Sequence, residues 1–312
     1  MGYRAKMTRP QRDHPCQPSL MANPIASAWT FWCRRWWRED KEALARFVGQ
    51  TPAVVITGAS AGIGLAMAHR YAAEGRDLVL IARDPGRLEA AVKAVRRLSG
   101  HRVMPLVLDV TAPDVTAQLD AALGALGAYP DILVNNAGVG LAGHFTGQSP
   151  DALVRLTALN VTALTMLCRH VLPGQLVRGR GGIINMASLG GYFPGPEQAA
   201  YFASKAYVIS LSEALAAEVA GKGVTITVVA AGPVDTEFHA KMGTADAWYR
   251  LLMPSLSAEH VATAAIRGFQ RGQRLVVPGA FNKLGMLALR LLPHVIVVPV
   301  AAILLRPTRR PV

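Results

Sequence analysis

The stretch from Val54 to Arg70 limits what this chain can fold into more than any other part of it. An apolar, β-branched run (Val54, Val55, Ile56) leads into Thr57-Gly58-Ala59-Ser60-Ala61-Gly62-Ile63-Gly64, and Leu65-Ala66-Met67-Ala68-His69-Arg70 continues as a helix pattern. The order is buried strand, glycine turn, helix. Glycines let the backbone of such a turn approach a pyrophosphate, and the unpaired N–H groups at the helix start supply an anion site. A glycine triplet alone is weak evidence. Here a second strand, Leu78 to Ala82, arrives after Gly75, which is the context the fingerprint requires.

The alternation continues along the chain. Asp84-Pro85 forms an N-cap and N1 pair for a helix to Leu98. Val103 to Leu108 reads as the third strand, and Asp114 starts a helix ending near Leu126. Ile132 to Asn135 is the fourth strand, Ser149-Pro150 caps a helix reaching about Leu172, and Gly182 to Asn185 is the fifth. A helix from about Gln198 to Ala220, a strand from Val224 to Ala230, a helix capped by Ser257 and a short strand from Arg274 to Val277 complete the series. This predicts an α/β fold, a doubly wound parallel seven-stranded sheet of Rossmann-like type, with its ligand crevice at the carboxyl ends of the strands. The predicted organisation is an N-terminal extension over 1–50, a catalytic domain over 51–280 and an apolar segment with a basic end over 281–312.

Tyr201 and Lys205 stand four apart, and Ser188 lies a short loop upstream. At that spacing on a helix the phenol and the ammonium share a face, so the lysine charge favours the phenolate. A phenol with an unperturbed pKa of about 10 then becomes a usable general acid or base. Many helices carry Tyr and Lys four apart by chance, so the pair gains meaning only from its company.

That company resembles the short-chain dehydrogenase/reductase family of NAD(P)-dependent enzymes, from Pro52 to about Pro278. The resemblance rests on motifs in one order: the Thr57 to Gly64 turn, Asp109 after a strand, Asn135-Asn136-Ala137-Gly138, Asn160 within a helix, Ser188 after Ile183-Ile184-Asn185, Tyr201 with Lys205, and Gly232-Pro233-Val234-Asp235-Thr236. It implies that Asn160, Ser188, Tyr201 and Lys205 are catalytic. Tyr201 would exchange a proton with a carbonyl or carbinol oxygen while hydride moves to or from a nicotinamide. Ser188 would hydrogen-bond that oxygen, Lys205 would also hold the nicotinamide ribose, and Asn160 would position a water linking Lys205 to solvent. For the coenzyme it implies Thr57, Gly58, Ser60, Ala61, Gly62, Ile63 and Gly64 at the pyrophosphate, with Asp109 and Val110 beside the adenine. Asn136, Ala137 and Gly138 would pass beneath the adenosine ribose, and Pro233, Val234 and Thr236 would meet the carboxamide and phosphates. The family usually has proline before the residue at Gly232, where this chain has Ala231, which puts the rigidity of that loop in question. A homo-oligomer, dimer or tetramer, is also implied.

Coenzyme choice turns on the end of the second strand. An acid there would accept from a ribose diol and repel a 2′-phosphate. This chain has Ala82 and then Arg83, and a planar guanidinium suits phosphate, so NADP(H) is favoured over NAD(H). Ala61 opposes this in part, since the family's NADP enzymes often carry a second basic residue at that position.

Charge is concentrated at the ends of the chain. The net charge is +13, with nine Lys/Arg against four Asp/Glu in residues 1–50 and five against none in 281–312. The central part is near neutral and offers no basic groove, which speaks against nucleic-acid binding. Three cysteines (Cys16, Cys33, Cys168) have no metal-ligand spacing and fit a reducing, cytoplasmic setting. The first twenty residues lack an apolar signal core, charged residues follow Arg34-Arg35 where a twin-arginine signal needs an apolar run, and Met21 is an alternative start.

Val139, Leu189, Tyr192, Phe193 and a segment after Thr236 (Phe238, Met242, Trp248, Tyr249, Leu251, Leu252, Met253) are expected to line the substrate pocket, which suits a lipophilic carbonyl or alcohol. Trp29, Trp32, Trp36, Ala43 and Phe47 recur at helical spacing, with Arg34, Arg35, Arg38 and Lys41 on other faces, as in an interfacial amphipathic helix. Leu284 to Leu305 is strongly apolar but interrupted by Arg290, Pro293, His294 and Pro299, so its unbroken parts are short for a bilayer span. It reads as a monotopic anchor or a greasy cover of the active-site mouth. A transmembrane helix and a dimer-interface or core-packing segment are the alternatives, and Arg306, Arg309 and Arg310 would face anionic headgroups in the case of an anchor. Two functions follow: an NADP(H)-dependent oxidoreductase on lipophilic substrates at a membrane surface, or a cofactor-binding regulatory or scaffold protein with little turnover. Intact Ser188, Tyr201 and Lys205 favour the first.

Overall fold

The computed structural model describes residues 29, 30, 32, 41–244 and 246–306. After a short helix α1 (Lys41–Ala45), strand β1 (Thr51–Thr57) enters the centre of the domain and is followed by α2 (Gly62–Ala73), β2 (Asp77–Ala82), α3 (Pro85–Arg96), β3 (Val103–Val107), α4 (Val115–Leu126) and β4 (Ala128–Asn135). The second half runs α5 (Pro150–Thr157), a π-helical turn (Ala158–Ala163), α6 (Leu164–Arg178), β5 (Gly182–Ser188), α7 (Ala199–Glu218) and β6 (Thr225–Ala231). Two short helices, α8 (Phe238–Met242) and α9 (Trp248–Leu252), precede α10 (Ala258–Gln270) and β7 (Leu275–Val276), and α11 (Ala280–Leu291) and α12 (His294–Leu304) close the described chain.

All seven strands are parallel, in the order β3-β2-β1-β4-β5-β6-β7. Strand order reverses direction between β1 and β4, and the connections leaving those two strands part there, opening a crevice at their carboxyl ends. Side chains alternate across the sheet, so Val54 and Ile56 join the core beneath α2, α3 and α10, while Ala53 and Val55 join the core beneath α4, α6 and α7. This two-sided burial is why β1 reads as an unbroken apolar run.

Local signals position several elements. Asp84 accepts a hydrogen bond from Arg87 N at 2.9 Å, and Ser257 accepts from His260 N at 3.1 Å, capping α3 and α10 as their sequences predict. The helix opened by Pro150 runs past Leu172 and through Pro173 to Arg178, ending at left-handed Gly179. Its π turn inserts an extra residue that no periodicity of this sequence announces.

At the N-terminal end, Trp29 and Phe47 of the expected amphipathic stripe meet the domain, whereas Trp32 stays exposed. Trp29 Nε1 donates to Ala217 O at 3.3 Å. Phe47 packs edge-on against Tyr129, and the Arg178 guanidinium lies 4.3 Å from one ring and 4.2 Å from the other. Both aromatics therefore satisfy themselves on the domain, where a ring gains a carbonyl or a partly desolvated cation as partner. Trp36, Arg34, Arg35 and Arg38 lie outside the described residues. At the other end α11 and α12 are separated by a break at Leu292-Pro293, and residues of both line the cavity at the carboxyl end of the sheet. At twelve and eleven residues neither helix has the length to cross a bilayer. Among the described residues only the helix Pro150–Arg178 is long and apolar enough for that, and it packs on β4 and β5 as part of the domain.

Candidate active site

One cavity of about 1570 Å³ runs along the carboxyl ends of the strands. Its first end is polar and glycine-lined. Gly58 sits at φ +64°, and a Cβ added at Gly64 would lie 2.4 Å from Gly58 O, so the turn and the start of α2 are in backbone contact that no larger residue permits. No side chain caps α2 at Ala61, which leaves its first N–H groups facing the cavity. Such a cradle fits a pyrophosphate. Thr57 reinforces it: its hydroxyl accepts from Asn136 N and Ala137 N, both at 3.0 Å, while Asn136 Nδ2 donates to Thr57 O at 3.0 Å and Gly58 O at 3.1 Å. Gly58, Ser60, Ala61, Gly62, Ile63, Asp109, Val110, Asn136, Ala137 and Gly138 all line the cavity, whereas Thr57 and Gly64 stand directly behind it. Across the cleft Pro233, Val234 and Thr236 line the same wall, and Thr236 approaches Gly62.

Arg83 lies at the far end, 65% exposed, with its guanidinium 3.7 Å from Asp109. Burial works against the Asp109 carboxylate, but two hydrogen bonds from Thr111 and the charge of Arg83 hold its pKa below the ordinary value. One turn on, Arg87 joins Glu237 at 2.8 Å, bridging α3 to the segment after β6. Nothing in the sequence singles out Arg87, which is an ordinary helix-surface residue until the fold brings α3 to the cleft. The loop whose rigidity Ala231 put in question is tied down in another way. Val234 bridges Leu256, and buried Asn282 sits so close to Gly232 that a Cβ there would meet its amide at 2.5 Å.

Midway along the cavity stand Ser188, Tyr201 and Lys205. Ser188 ends β5, and its hydroxyl accepts from Gly190 N at 3.1 Å and meets the Tyr201 phenol. Lys205 Nζ donates to Met186 O at 3.0 Å. Asn160, 1% exposed on the π turn, accepts from Val139 N at 3.0 Å and donates to Val139 O at 2.8 Å and to Ser204 Oγ at 3.1 Å. A Cβ placed on Gly138 would lie 3.3 Å from Asn160 Oδ1 and 3.6 Å from Lys205 Nζ, so the two polar groups converge on one small space. The phenol departs from expectation. Burial among Phe202 and Phe238 raises its pKa above the ordinary value, outweighing the Ser188 hydrogen bond, and burial lowers Lys205 to about 8. Desolvation opposes both charges at once, and spacing along a helix carries no information about that.

The remaining half of the cavity is apolar. Val139, Leu189, Phe193, Phe238, Met242, Tyr249, Leu252 and Met253 line it as expected, but Tyr192 and Trp248 do not. The inner faces of α11 and α12 add Leu289, Leu292, Val297 and Ala301, so the C-terminal segment forms part of the cavity wall. One polar pair interrupts this wall: Tyr249 Oη lies 3.0 Å from His239 Nδ1, which also meets Thr244 Oγ1 at 3.2 Å. Burial, helped by the charge of Arg250, pushes His239 down to about 4. Its folded value thus lies below the unfolded value of about 6.5, so stability from the neutral ring is full above that pH and is lost as pH falls toward 4. We expect Tm to drop more steeply from pH 6.5 to 4.5 in the wild type than in His239→Gln; parallel profiles would show a normally titrating ring.

A parallel doubly wound sheet with a glycine-lined anion cradle beside a buried Ser, Tyr and Lys is a nucleotide-binding type of architecture. The family model described as short chain dehydrogenase matches residues 52–247. A short chain dehydrogenase of Pseudocercospora fijiensis is 34% identical over 203 residues, which span 62% of this chain and 64% of that protein, just under two thirds of its length. The structure of a short-chain dehydrogenase from Sphingobium yanoikuyae in complex with NADPH superposes with a TM-score of 0.68 at 35% identity, covering 76% of this chain and 92% of the other. A short chain dehydrogenase/reductase from Burkholderia phymatum in complex with NAD gives 0.69 at 28% identity, covering 85% and 99%. The chain belongs to the short-chain dehydrogenase/reductase family.

Proposed function

We propose that this enzyme uses NADP(H) to interconvert a carbonyl and a secondary alcohol on a lipophilic substrate, with Tyr201 as general acid and base. The observation that carries the reading is the position of Ser188, Tyr201 and Lys205 at the junction between the glycine-lined and apolar halves of one cavity. Tyr201 delivers its proton to the substrate oxygen during reduction and recovers it during oxidation. A phenol kept protonated by burial is suited to the first of these. Ser188 donates to the same oxygen as charge develops there. Lys205 compensates charge on the phenolate and holds the nicotinamide ribose, and Asn160 orients the water that carries a proton from Lys205 to solvent. When bound, the coenzyme supplies or accepts the hydride. The turn Thr57–Gly64 holds its pyrophosphate, Asp109 and Val110 border its adenine, Asn136, Ala137 and Gly138 support its ribose, and Pro233, Val234 and Thr236 hold the carboxamide and phosphates. Arg83, with no acid at Ala82 to oppose it, selects a 2′-phosphate. Measuring coenzyme oxidation with long-chain, sterol-like and quinone carbonyls tests the reading, and no turnover with any of them from either coenzyme would overturn it.

We further place this chemistry at the cytoplasmic surface of a membrane. The outward faces of α11 and α12 present Leu284, Leu291, Val295 and Ile303 at 67%, 75%, 79% and 63% exposure, large apolar side chains that an interfacial helix would bury in a bilayer surface. No acidic residue occurs in 281–312 against five basic ones, which suits anionic headgroups. Because inner residues of the same helices line the cavity, truncation would damage the site, so the test uses Leu284→Glu, Leu291→Glu and Val295→Glu together. Wild-type protein is expected to co-sediment with anionic vesicles at low salt and the triple variant to remain in solution. Wild-type protein that stays in the supernatant would remove the membrane from the proposal.

A further inference from the structure

Gln198 is 3% exposed, lines the cavity, and has a side-chain nitrogen with no hydrogen-bond partner. Among the described residues it is the one buried side-chain donor of the apolar half left unpaired, since the His239 ring and Tyr249 hydroxyl satisfy each other. Its position is set firmly. Gln198 is the N-cap of α7; its N–H donates to Gly195 O at 3.1 Å and its carbonyl accepts from Phe202 N at 3.0 Å. Glu197 before it is the one non-glycine residue at positive φ among the described residues, at +64°, and its carbonyl accepts from Gly143 N at 2.8 Å. The chain thus adopts an unfavourable backbone conformation immediately before an amide that goes unused within the protein.

Gln198, Tyr201 and Lys205 fall at i, i+3 and i+7 and share one face. Lys205 lies toward Met186, Gly138 and Asn160, the coenzyme side. Gln198 lies one turn the other way, beyond the reacting phenol. We propose that Gln198 is a substrate-binding residue whose amide nitrogen donates a hydrogen bond to a second acceptor oxygen of the substrate, distinct from the oxygen held by Tyr201. The ligand class is a lipophilic ketone carrying a further carbonyl, ester or ether oxygen near the reacting carbon. A simple ketone leaves the amide buried and unpaired, and that penalty separates the two classes.

This inference rests on reading the apolar half of the cavity as the substrate site. The test compares a long-chain 3-oxo ester with the monoketone of equal length, for wild type and Gln198→Leu, which keeps most of the volume and removes the donor. The ratio of kcat/KM between the two substrates is expected to fall about tenfold or more in the variant, from the loss of one hydrogen bond of ordinary strength; intrinsic reactivity cancels in that comparison. Calorimetric binding of the two ligands to the NADPH-loaded proteins should show the same collapse of preference, independently of turnover. Tm should hold or rise, because an unpaired buried donor is being removed. An unchanged preference in binding, or equal losses with both ligands accompanied by a lower Tm, would make Gln198 a structural residue and overturn the proposal. Absence of turnover with intact, Gln198-dependent binding preference would sink the carbonyl chemistry alone.

Discussion

Tyr201→Phe is expected to lower kcat by 10²-fold or more, the usual contribution of a positioned general acid, while NADPH binding stays close to wild type. The ring remains, so the packing against Phe202 and Phe238 persists and only the hydroxyl that meets Ser188 is lost. The change should appear equally in kcat and kcat/KM, because the proton is transferred only in the transition state. Coenzyme affinity measured by quenching of intrinsic fluorescence separates this from a folding defect. A variant keeping more than about a tenth of wild-type kcat would show that another group supplies the proton.

Ala82→Asp combined with Arg83→Leu is expected to reverse coenzyme preference from NADPH to NADH. Position 82 ends β2 beside the cavity, where a carboxylate would accept from a free ribose diol and repel a phosphate. In the wild type Arg83 is paired only loosely with Asp109, at 3.7 Å and largely exposed, so its guanidinium is free to turn toward a phosphate. The ratio of kcat/KM for the two coenzymes should change by on the order of a hundredfold, the worth of about two charge-assisted hydrogen bonds. Equal wild-type values for the two coenzymes would reduce Arg83 to a solvated surface residue. Arg87, held by Glu237 at 2.8 Å, is a second cation lining the same cavity, where Ala61 offers none.

Much of the fold was legible because the strands are buried on both faces. Val54 to Ile56, Leu78 to Ala82 and Ile183-Ile184 are apolar throughout, and short apolar runs bounded by glycine or polar turns are what a parallel sheet requires. Caps at Asp84 and Ser257 were legible for a local reason, since one side-chain oxygen meets a backbone N–H three residues on. The glycine turn and the juxtaposition of Ser188, Tyr201 and Lys205 beside one cavity were readable too, because that geometry is short-range or falls at the same ends of consecutive strands. Asn160 was found only through resemblance. Nothing in Ala158-Leu159-Asn160-Val161-Thr162-Ala163 announces a π turn, which arises from how the helix accommodates Val139 and Ser204.

What the sequence by itself determined is the alternation of strands and helices, the glycine turn, and the shared helix face of Tyr201 and Lys205, all of which follow from periodicity, backbone freedom and spacing within a few residues. Tertiary structure alone decided where desolvation acts. It raised the Tyr201 phenol and lowered Lys205 to about 8, left the Gln198 amide buried without a partner, placed Trp29 and Phe47 against the domain, and brought residues of α11 and α12 into the cavity wall. These outcomes depend on which distant surfaces exclude water from a group, and local sequence does not encode that.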